Sequence, residues 1–356
     1  MKIRAFITHK KAEHFSDCQD RFSISMDTKS VAVSDGMSQS WQQKIWAQLL
    51  VDTFCSDTDW VPTLESVREL SPMWKNEVEN YIQSLRDADA KESLIYRNER
   101  NLAEGKSAGA TLVGIRFKSN NWDCDVLGDS CLIAKIGNDY MFGTSQDTEK
   151  FDNHPDYFDS DSNKQGRGTF KTFSESLSSS NPFVLLVSDP FSDYLLEHKK
   201  IGDIDVLANE LLSINTHDEF EAIVAKWRDT GMHNDDSTLV IVEYDGSEDW
   251  NILHQDKLDE LIQTEQHSIH PSTSVPKVEN GVIETPREKK NETSLPITRI
   301  SEKEFCDKLE SLGLKKFSTL GFADLIFRQK TKRKICKILA ELAKEIYDHF
   351  DINKKN

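Results

Sequence analysis

An aspartate ends a short apolar run in the stretch Ser30-Val31-Ala32-Val33-Ser34-Asp35-Gly36-Met37. The β-branched and apolar residues of this run predict a buried strand, and the glycine lets the backbone come close to whatever binds beside the carboxylate. A strand that delivers a carboxylate to the edge of a sheet can begin a metal site. An Asp-Gly pair alone is more often a turn, so the interpretation depends on further acidic groups.

Such groups flank other predicted strands. They lie in Gln19-Asp20, in Gly128-Asp129-Ser130, in Ser188-Asp189 after the run 183–187, and in Asn234-Asp235-Asp236 before the run 237–242. Carboxylate oxygens are the ligands that Mg²⁺ and Mn²⁺ prefer. Two such ions can activate water and neutralise a phosphoryl oxygen, which is the chemistry of phosphate-ester hydrolysis. The series therefore predicts a metal-dependent hydrolase.

The elements that must position these groups come in blocks. Alternating or apolar runs predict strands at 2–7, 21–26, 31–34, 110–117, 122–127, 131–136, near 140, 183–187 and 238–244. Apolar residues at helical spacing predict helices from residue 41, over 62–102 with breaks, and at 191–199, 203–213 and 217–229. Strands grouped with strands, and helices with helices, indicate an α+β fold of antiparallel sheets covered by helices.

Two segments lack this regularity. Residues 145–182 are polar and contain Gly166-Arg167-Gly168, so they are either a flap over the site or a mobile loop. Periodicity is lost again after residue 250, and prolines and polar residues predict a linker over 251–298. Renewed helical spacing then predicts a small helical module over 299–356. The predicted domain that carries the chemistry is therefore 1–250.

The charge of the chain is unevenly distributed. The 356 residues have a formal net charge of −17, but residues 287–356 carry 17 Lys and Arg against 11 Asp and Glu, or +6, which leaves −23 for residues 1–286. An acidic main body disfavours nucleic acid as a partner, because phosphate backbones bind basic surfaces. No apolar run approaches the roughly 20 residues of a membrane-spanning helix. With no signal peptide and six scattered cysteines, we expect a cytoplasmic protein with reduced thiols.

Six motifs, in order along the chain, resemble those of the protein phosphatase 2C family of metal-dependent Ser/Thr phosphatases. The motifs are Gln19-Asp20, Val33-Ser34-Asp35-Gly36-Met37, Gly109-Ala110-Thr111-Leu112, Gly128-Asp129-Ser130, Leu186-Val187-Ser188-Asp189 and Asp235-Asp236-Ser237-Thr238-Leu239-Val240. The beginning, Thr8-His9 followed by Cys18-Gln19-Asp20, is most similar to a bacterial branch of the family. The resemblance extends over about residues 3–245.

The resemblance implies a sandwich of two antiparallel sheets between helices, with two Mn²⁺ or Mg²⁺ ions, and in some members a third, between the sheets. The ligands that it implies are Asp35, Gly36, Asp189 and Asp235, with Asp129 and Asp193 for the third ion. Asp35 would bridge two ions, Gly36 would offer its carbonyl oxygen, and Asp20 would hold water. The implied reaction is direct attack of metal-activated water on phosphoserine or phosphothreonine, without a phosphoenzyme.

The sequence departs from the family pattern at several positions. Gln19 stands where many members have Glu, Pro190 replaces a glycine after Asp189, and Ser38 and Gln39 replace glycines after Met37. Pro190 suits the first turn of a helix, so Asp189 has an alternative interpretation as a helix N-cap. The phosphate-binding Arg of many members has no clear counterpart. The candidates for that role are Arg4, His9, Lys10 and Lys11, with His9 and Lys10 nearest the expected place.

Two functions remain open at this stage. The first is a metal-dependent phosphatase that acts on a phosphoprotein and is paired with a Ser/Thr kinase. The second is a catalytically inactive, phosphatase-like sensor or adaptor that binds a partner through the C-terminal module. Basic residues crowd one predicted helix of that module, at Arg328, Lys330, Lys332, Arg333, Lys334 and Lys337. They form either a solvated face or a docking surface for an acidic partner.

Overall fold

The structure is a computed structural model that describes residues 1–118, 121–146, 156–164, 166–176, 182–247 and 249–269. The predicted module at 299–356, and the part of the predicted linker from residue 270 onward, lie outside these residues. Within them, no helix has both the length and the apolar composition that crossing a membrane requires.

The first sheet joins both ends of the described chain. Its strands are β1 (Lys2–Thr8), β7 (Cys131–Ile136), β8 (Asp139–Gly143), β11 (Phe183–Val187), β12 (Ser237–Glu243) and β13 (Asn251–Gln255). Their order in space is β13-β1-β12-β11-β7-β8. Neighbours are antiparallel except β13, which runs parallel to β1.

The second sheet is antiparallel throughout. It contains β2 (Arg21–Ser25), β3 (Ser30–Ser34), β5 (Leu112–Phe117), β6 (Asn121–Leu127) and β10 (Lys171–Ser176), in the spatial order β10-β6-β5-β3-β2. A short pair, β4 (Gly109–Ala110) with β9 (Phe158–Asp159), lies beside it. An isolated bridge between Gly36 and Ala110 continues this pair to the residue after Asp35.

Helices cover the outer faces of the sheets. They are α1 (Gln43–Ser56), α2 (Leu64–Arg68), α3 (Ser71–Asp87), α4 (Glu92–Ala103), α5 (Asp189–Ile201), α6 (Ile204–Leu212), α7 (His217–Asp229) and α8 (Leu258–Ile269). The local sequence fixes the N-terminus of α7, because Thr216 and Glu219 form a reciprocal capping box.

The described core has three layers of apolar side chains. Between the sheets, residues such as Ile3, Val33 and Val240 pack together and are fully buried. On the outer face of the first sheet, α5, α6 and α7 bury a cluster around Phe220. On the outer face of the second, α1 and α3 bury one around Trp46. The predicted α+β sandwich of two sheets between helices is thus confirmed.

Two predictions about irregular segments were wrong in part. Residues 145–182 contain β9 and β10, where the polar composition predicted a loop. Residues 251–269 form β13 and α8, where a linker was predicted. The three new strands have two to six residues, and β10 and β13 have no buried residue, so they lack the apolar run or strict alternation that signals a strand.

The segment 251–269, which we call the strap, is fastened to the domain by Asp256. This buried carboxylate accepts hydrogen bonds from the Ile7 backbone N–H at 2.9 Å and from His217 Nδ1 at 2.8 Å, and it lies 2.8 Å from His254 Nε2. The main chain adds a bond from the Asp256 N–H to the Ala5 carbonyl oxygen. The strap is therefore part of the folded domain.

His217 makes the strap sensitive to pH. Burial lowers the pKa of His217, but the hydrogen bonds to Asp256 and Glu221 outweigh burial and raise it from 6.5 to about 9. The folded state therefore holds a proton that the unfolded state releases, so this stabilisation is complete below pH 6.5 and is lost as pH rises through about 9.

We expect the free energy of unfolding, measured by urea titration, to fall between about pH 6 and about pH 9.5. The fall should be roughly 1–2 kcal/mol larger in the parent protein than in His217→Gln, after allowance for solvent screening. The Asp27→Asn variant, changed in an exposed turn, serves as the control and should follow the parent protein. Equal pH dependence in the parent protein and His217→Gln would contradict the assignment.

Candidate metal centre

Five of the aspartates singled out in the sequence lie where strands of both sheets end, and the sixth, Asp193, is on α5. β3 leads into Asp35, β11 leads into Asp189, and Asp235 lies just before β12. The register places these ends together, because Val187 pairs with both Leu239 and Cys131, and Arg21 pairs with Ser34. We call the group the acidic cluster: Asp20, Asp35, Asp129, Asp189, Asp193 and Asp235.

Hydroxyl groups hold the strand ends in place. Thr111 Oγ1 accepts the Asp35 N–H at 3.0 Å and lies 2.6 Å from Ser130 Oγ, so it links two of the loops that carry the cluster. Ser188 Oγ accepts the Thr238 N–H at 2.9 Å, which joins the end of β11 to β12. Ser192 Oγ donates to the Asp129 carbonyl oxygen at 2.9 Å.

Asp20 and Asp35 are neighbours, and the pKa values of both carboxyl groups are raised. Asp20 has no exposed surface, and burial, followed by the charges of Asp35 and Asp236, raises its pKa well above the ordinary range. Burial, with the charges of Asp129 and Asp235, raises the pKa of Asp35 to about 7. Thr238 Oγ1 donates to Asp20 Oδ2 at 2.8 Å, while no donor in the described chain reaches Asp20 Oδ1.

The pKa values of Asp129, Asp189 and Asp193 are raised as well. Burial raises the pKa of Asp129 to about 7, with Asp193 adding to the effect, and Asp129 Oδ1 is also without a donor in the described chain. Burial, followed by the charge of Asp35, raises the pKa of Asp189 well above its usual value. Burial raises the pKa of Asp193, which His233 partly opposes.

The loop before β12 pairs with Lys10. Lys10 Nζ lies 2.9 Å from Asp235 Oδ1 and 3.2 Å from Ser38 Oγ. Burial lowers the pKa of Lys10, but the hydrogen bond to Asp235 and the charges of Asp235 and Asp236 together outweigh burial and raise it. Asp236 points the other way: its two carboxylate oxygens accept the Lys10 N–H at 2.9 Å and the Gln19 N–H at 2.7 Å. Asp236 therefore ties the loop before β2 to the loop before β12.

The other basic candidates lie apart from the cluster. His9 Nδ1 is 2.7 Å from the Lys10 carbonyl oxygen, and its ring meets Phe15 edge-on at 4.6 Å. Arg4 is buried at the other face of β1, where it pairs with Glu243 and donates to the Leu212 carbonyl oxygen. Lys11 is held by its backbone N–H, which donates to Asn234 Oδ1 at 2.8 Å. Of the four, Lys10 has its side chain at the cluster.

Local geometry also bears on the substituted position Pro190 and on Gly36. Ser188 is the N-cap residue of α5, so Asp189 is the first residue of the helix and Pro190 the second, where no backbone hydrogen bond is lost. Gly36 has no room for a side chain, because a Cβ atom there would lie 2.9 Å from Gln43 Cγ and 3.0 Å from the Gln19 carbonyl oxygen. The chain thus packs tightly behind Asp35.

The cluster suits a hard cation in its chemistry. Its donors are oxygens, burial and then mutual repulsion raise their pKa values, and buried oxygens of Asp20 and Asp129 have no donor within the described chain. Across the described ranges, no three His, Cys, Asp or Glu side chains already form a ligand set for one ion. Like charges separate when no cation holds them together, so side-chain movement would accompany binding.

Sequence reasoning missed three contributors to this centre. The family resemblance gives Asp235 a role and Asp236 none, whereas the Asp236 carboxylate accepts the Lys10 and Gln19 N–H groups. Thr238 supplies the donor to Asp20, and Arg228 Nη2 donates to the Asp235 carbonyl oxygen at 2.6 Å and fixes the loop. Arg228 is on α7 and carries no motif signal in the sequence.

No family model matches the sequence, and no curated protein sequence matches it. Solved structures that are similar to the chain are bacterial Ser/Thr phosphatases. A bacterial serine phosphatase is 14% identical with a TM-score of 0.44, over 69% of this chain and 98% of that one. The Ser/Thr phosphatase Stp1 from Staphylococcus aureus is 14% identical with a TM-score of 0.43, over 68% and 95%. The catalytic domain of PstP, in complex with two manganese ions, is 14% identical with a TM-score of 0.40, over 68% and 96%.

Proposed function

We propose that the protein is a metal-dependent phosphatase that hydrolyses phosphoserine and phosphothreonine in proteins. The observation that supports it is the convergence of carboxylates from separate strand ends on one desolvated edge of the sandwich. Such an arrangement costs stability in the absence of a cation, because burial and like charge both oppose ionisation. A fold that keeps this arrangement is best explained by a bound cation.

Asp35, Asp189 and Asp235, with the Gly36 carbonyl oxygen, would hold two Mn²⁺ or Mg²⁺ ions, and Asp129 and Asp193 a third. The bound ions would lower the pKa of water and neutralise charge on the phosphoryl group. Asp20, held by Thr238, would orient the attacking water by accepting a hydrogen bond from it. The phosphorus–oxygen bond of the ester breaks as the oxygen of water bonds to phosphorus, and the alcohol and inorganic phosphate leave.

Lys10 is our candidate for binding the phosphate of the substrate. Its ammonium group is at the edge of the cluster, between Asp235 and Ser38. A lysine there acts as a point charge, without the two-pronged hydrogen bonding of an arginine. His9, another of the four candidates, would support Lys10 through the hydrogen bond between its ring and the Lys10 carbonyl oxygen.

The substrate is proposed to be a phosphoprotein in the cytoplasm, with a Ser/Thr kinase as the opposing enzyme. The free, buried thiols of Cys18, Cys55, Cys124 and Cys131 suit a reducing compartment. The test is release of phosphate from p-nitrophenyl phosphate and from phosphoserine and phosphothreonine peptides with Mn²⁺, with Mg²⁺ and with EDTA. Turnover that needs a divalent cation is expected.

The second candidate function is the inactive sensor or adaptor. It is favoured by the pairing of Lys10 with Asp235, since a lysine can replace a cation in neutralising a carboxylate. A folded protein that releases no phosphate under any of these conditions would support the adaptor and overturn the enzyme.

A further inference from the structure

The strap reaches the loop that carries Lys10. This loop, residues 9–20 between β1 and β2, is called the Lys10 loop below. One carboxylate of α8, that of Glu265, contacts it at several points: Oε2 accepts the Phe15 N–H at 3.0 Å, and Oε1 lies 3.1 Å from His14 Nδ1 and 3.7 Å from His9 Nε2. The Glu265 side chain is 20% exposed, so these contacts are partly shielded from solvent.

The inner side of the same loop is fixed to the acidic cluster. The backbone N–H groups of Lys10 and Gln19 donate to the carboxylate of Asp236, and Lys10 Nζ contacts Asp235. The Lys10 loop is thus held between two carboxylates, Asp236 inside and Glu265 outside. Lys44 Nζ, which donates to the Ser16 carbonyl oxygen at 2.6 Å, secures its far end.

The Glu265 contacts are not explained by packing alone. The described residues of the loop contain one regular element, the 3-10 turn at Phe15–Asp17. Phe15 is buried and stacks edge-on against His9, so Glu265 holds both the backbone and the ring next to it. A hydrogen bond from a backbone N–H to a carboxylate is among the stronger ones in proteins.

We propose that Glu265 is a positioning residue for the site: it holds the Lys10 loop in the conformation that places the Lys10 ammonium group beside Asp235. The expected effect of Glu265 on turnover rests on the proposed function. Its expected effect on the conformation of the Lys10 loop does not. Glu265 touches neither substrate nor the acidic cluster, and its effect on turnover is through Lys10.

The test compares Glu265→Gln with Glu260→Gln in the full-length protein. Glu260 is on the same helix and pairs with exposed Lys257, so it is a matched control. We expect Glu265→Gln to lower kcat/KM by about 10-fold, the smaller end of the range for partners one layer outside a reactive group. The change should be mainly in KM, and Glu260→Gln should leave kcat/KM unaltered. The double variant with Lys10→Met should be no worse than Lys10→Met alone, because the two changes remove one interaction.

Amide hydrogen exchange separates positioning from a local structural role. Loss of the direct bond alone would speed exchange at Phe15 only. We expect faster exchange at Lys10 and Gln19 as well, because their donation to Asp236 depends on the loop conformation. His14→Gln, which changes an exposed side chain, should shift exchange in the same direction. It replaces Glu265→Gln in this experiment if Glu265→Gln does not fold.

Unaltered exchange at Lys10 and Gln19 in both variants would overturn the proposal. So would additive losses of kcat/KM in the double variant. If the parent protein has no phosphatase activity, the proposed function fails, while the exchange experiment still decides whether Glu265 positions the loop.

Discussion

Replacement of Asp35 by Asn is expected to lower metal-dependent kcat/KM by about 100-fold or more. Asp35 lies at the centre of the acidic cluster, since its pKa is raised by burial and by the charges of both Asp129 and Asp235. Loss of a partner one layer outside a metal ligand already costs roughly 10- to 100-fold. An amide also lacks the negative charge that two neighbouring cations would share.

The measurement is phosphate release across a range of Mn²⁺ concentrations. The expected loss persists at saturating Mn²⁺, since added cation cannot restore the missing ligand. Asp27→Asn, the same chemical change in an exposed turn, should retain parent activity. Near-parent activity of a folded Asp35→Asn protein would contradict the role given to this carboxylate.

A large thermal stabilisation by divalent cations is the second expected result. A cation at 100 times its Kd adds about 2.7 kcal/mol to the free energy of unfolding. For a domain of this size, that is roughly 5–10 °C in Tm. Asp35→Asn and Asp189→Asn should lose most of the shift, and Asp27→Asn should keep it. Equal shifts in all four proteins would mean that the cations bind elsewhere.

The same experiment has a defined pH dependence. Asp35 and Asp129 have a pKa of about 7 in the folded protein, against 3.8 as the ordinary value. The folded state therefore holds extra protons between these values, and with EDTA present its stability falls as pH rises from about 4 through about 7. The Tm shift by Mn²⁺ should accordingly be larger at about pH 8 than at about pH 5.5, where protons compete for the carboxylates.

Sequence patterns predicted the sandwich because its core strands are strongly marked. Runs such as 183–187 and 239–242 are apolar and buried, so composition and burial agree. These strands and the buried strand β3 place Asp189, Asp235 and Asp35, because a residue next to the end of a buried strand must lie where the sheet ends. The order of the motifs along the chain, through the family resemblance that it carries, predicts that these carboxylates meet.

Sequence patterns could not predict contacts that long-range packing decides. The pairing of Lys10 with Asp235 joins residues more than 200 positions apart, and Lys10 and His9 are equivalent as basic residues near the expected place. β10 has the sequence Lys171-Thr172-Phe173-Ser174-Glu175-Ser176, in which Phe173 is the one apolar residue. Such a strand forms because β6 offers it partners, which a local pattern does not record.

The parallel pairing of β13 with β1 bears on aggregation between copies of this chain. β1 is buried along nearly its whole length, and β12 and β13 occupy its two sides. A chain shortened to residue 250 would leave one side of β1 with unpaired N–H and carbonyl groups beside apolar side chains, the template on which sheets of separate molecules join. β13 has five residues, of which Asn251, His254 and Gln255 are polar, so it closes the sheet with a short strand that offers other molecules little to pair with.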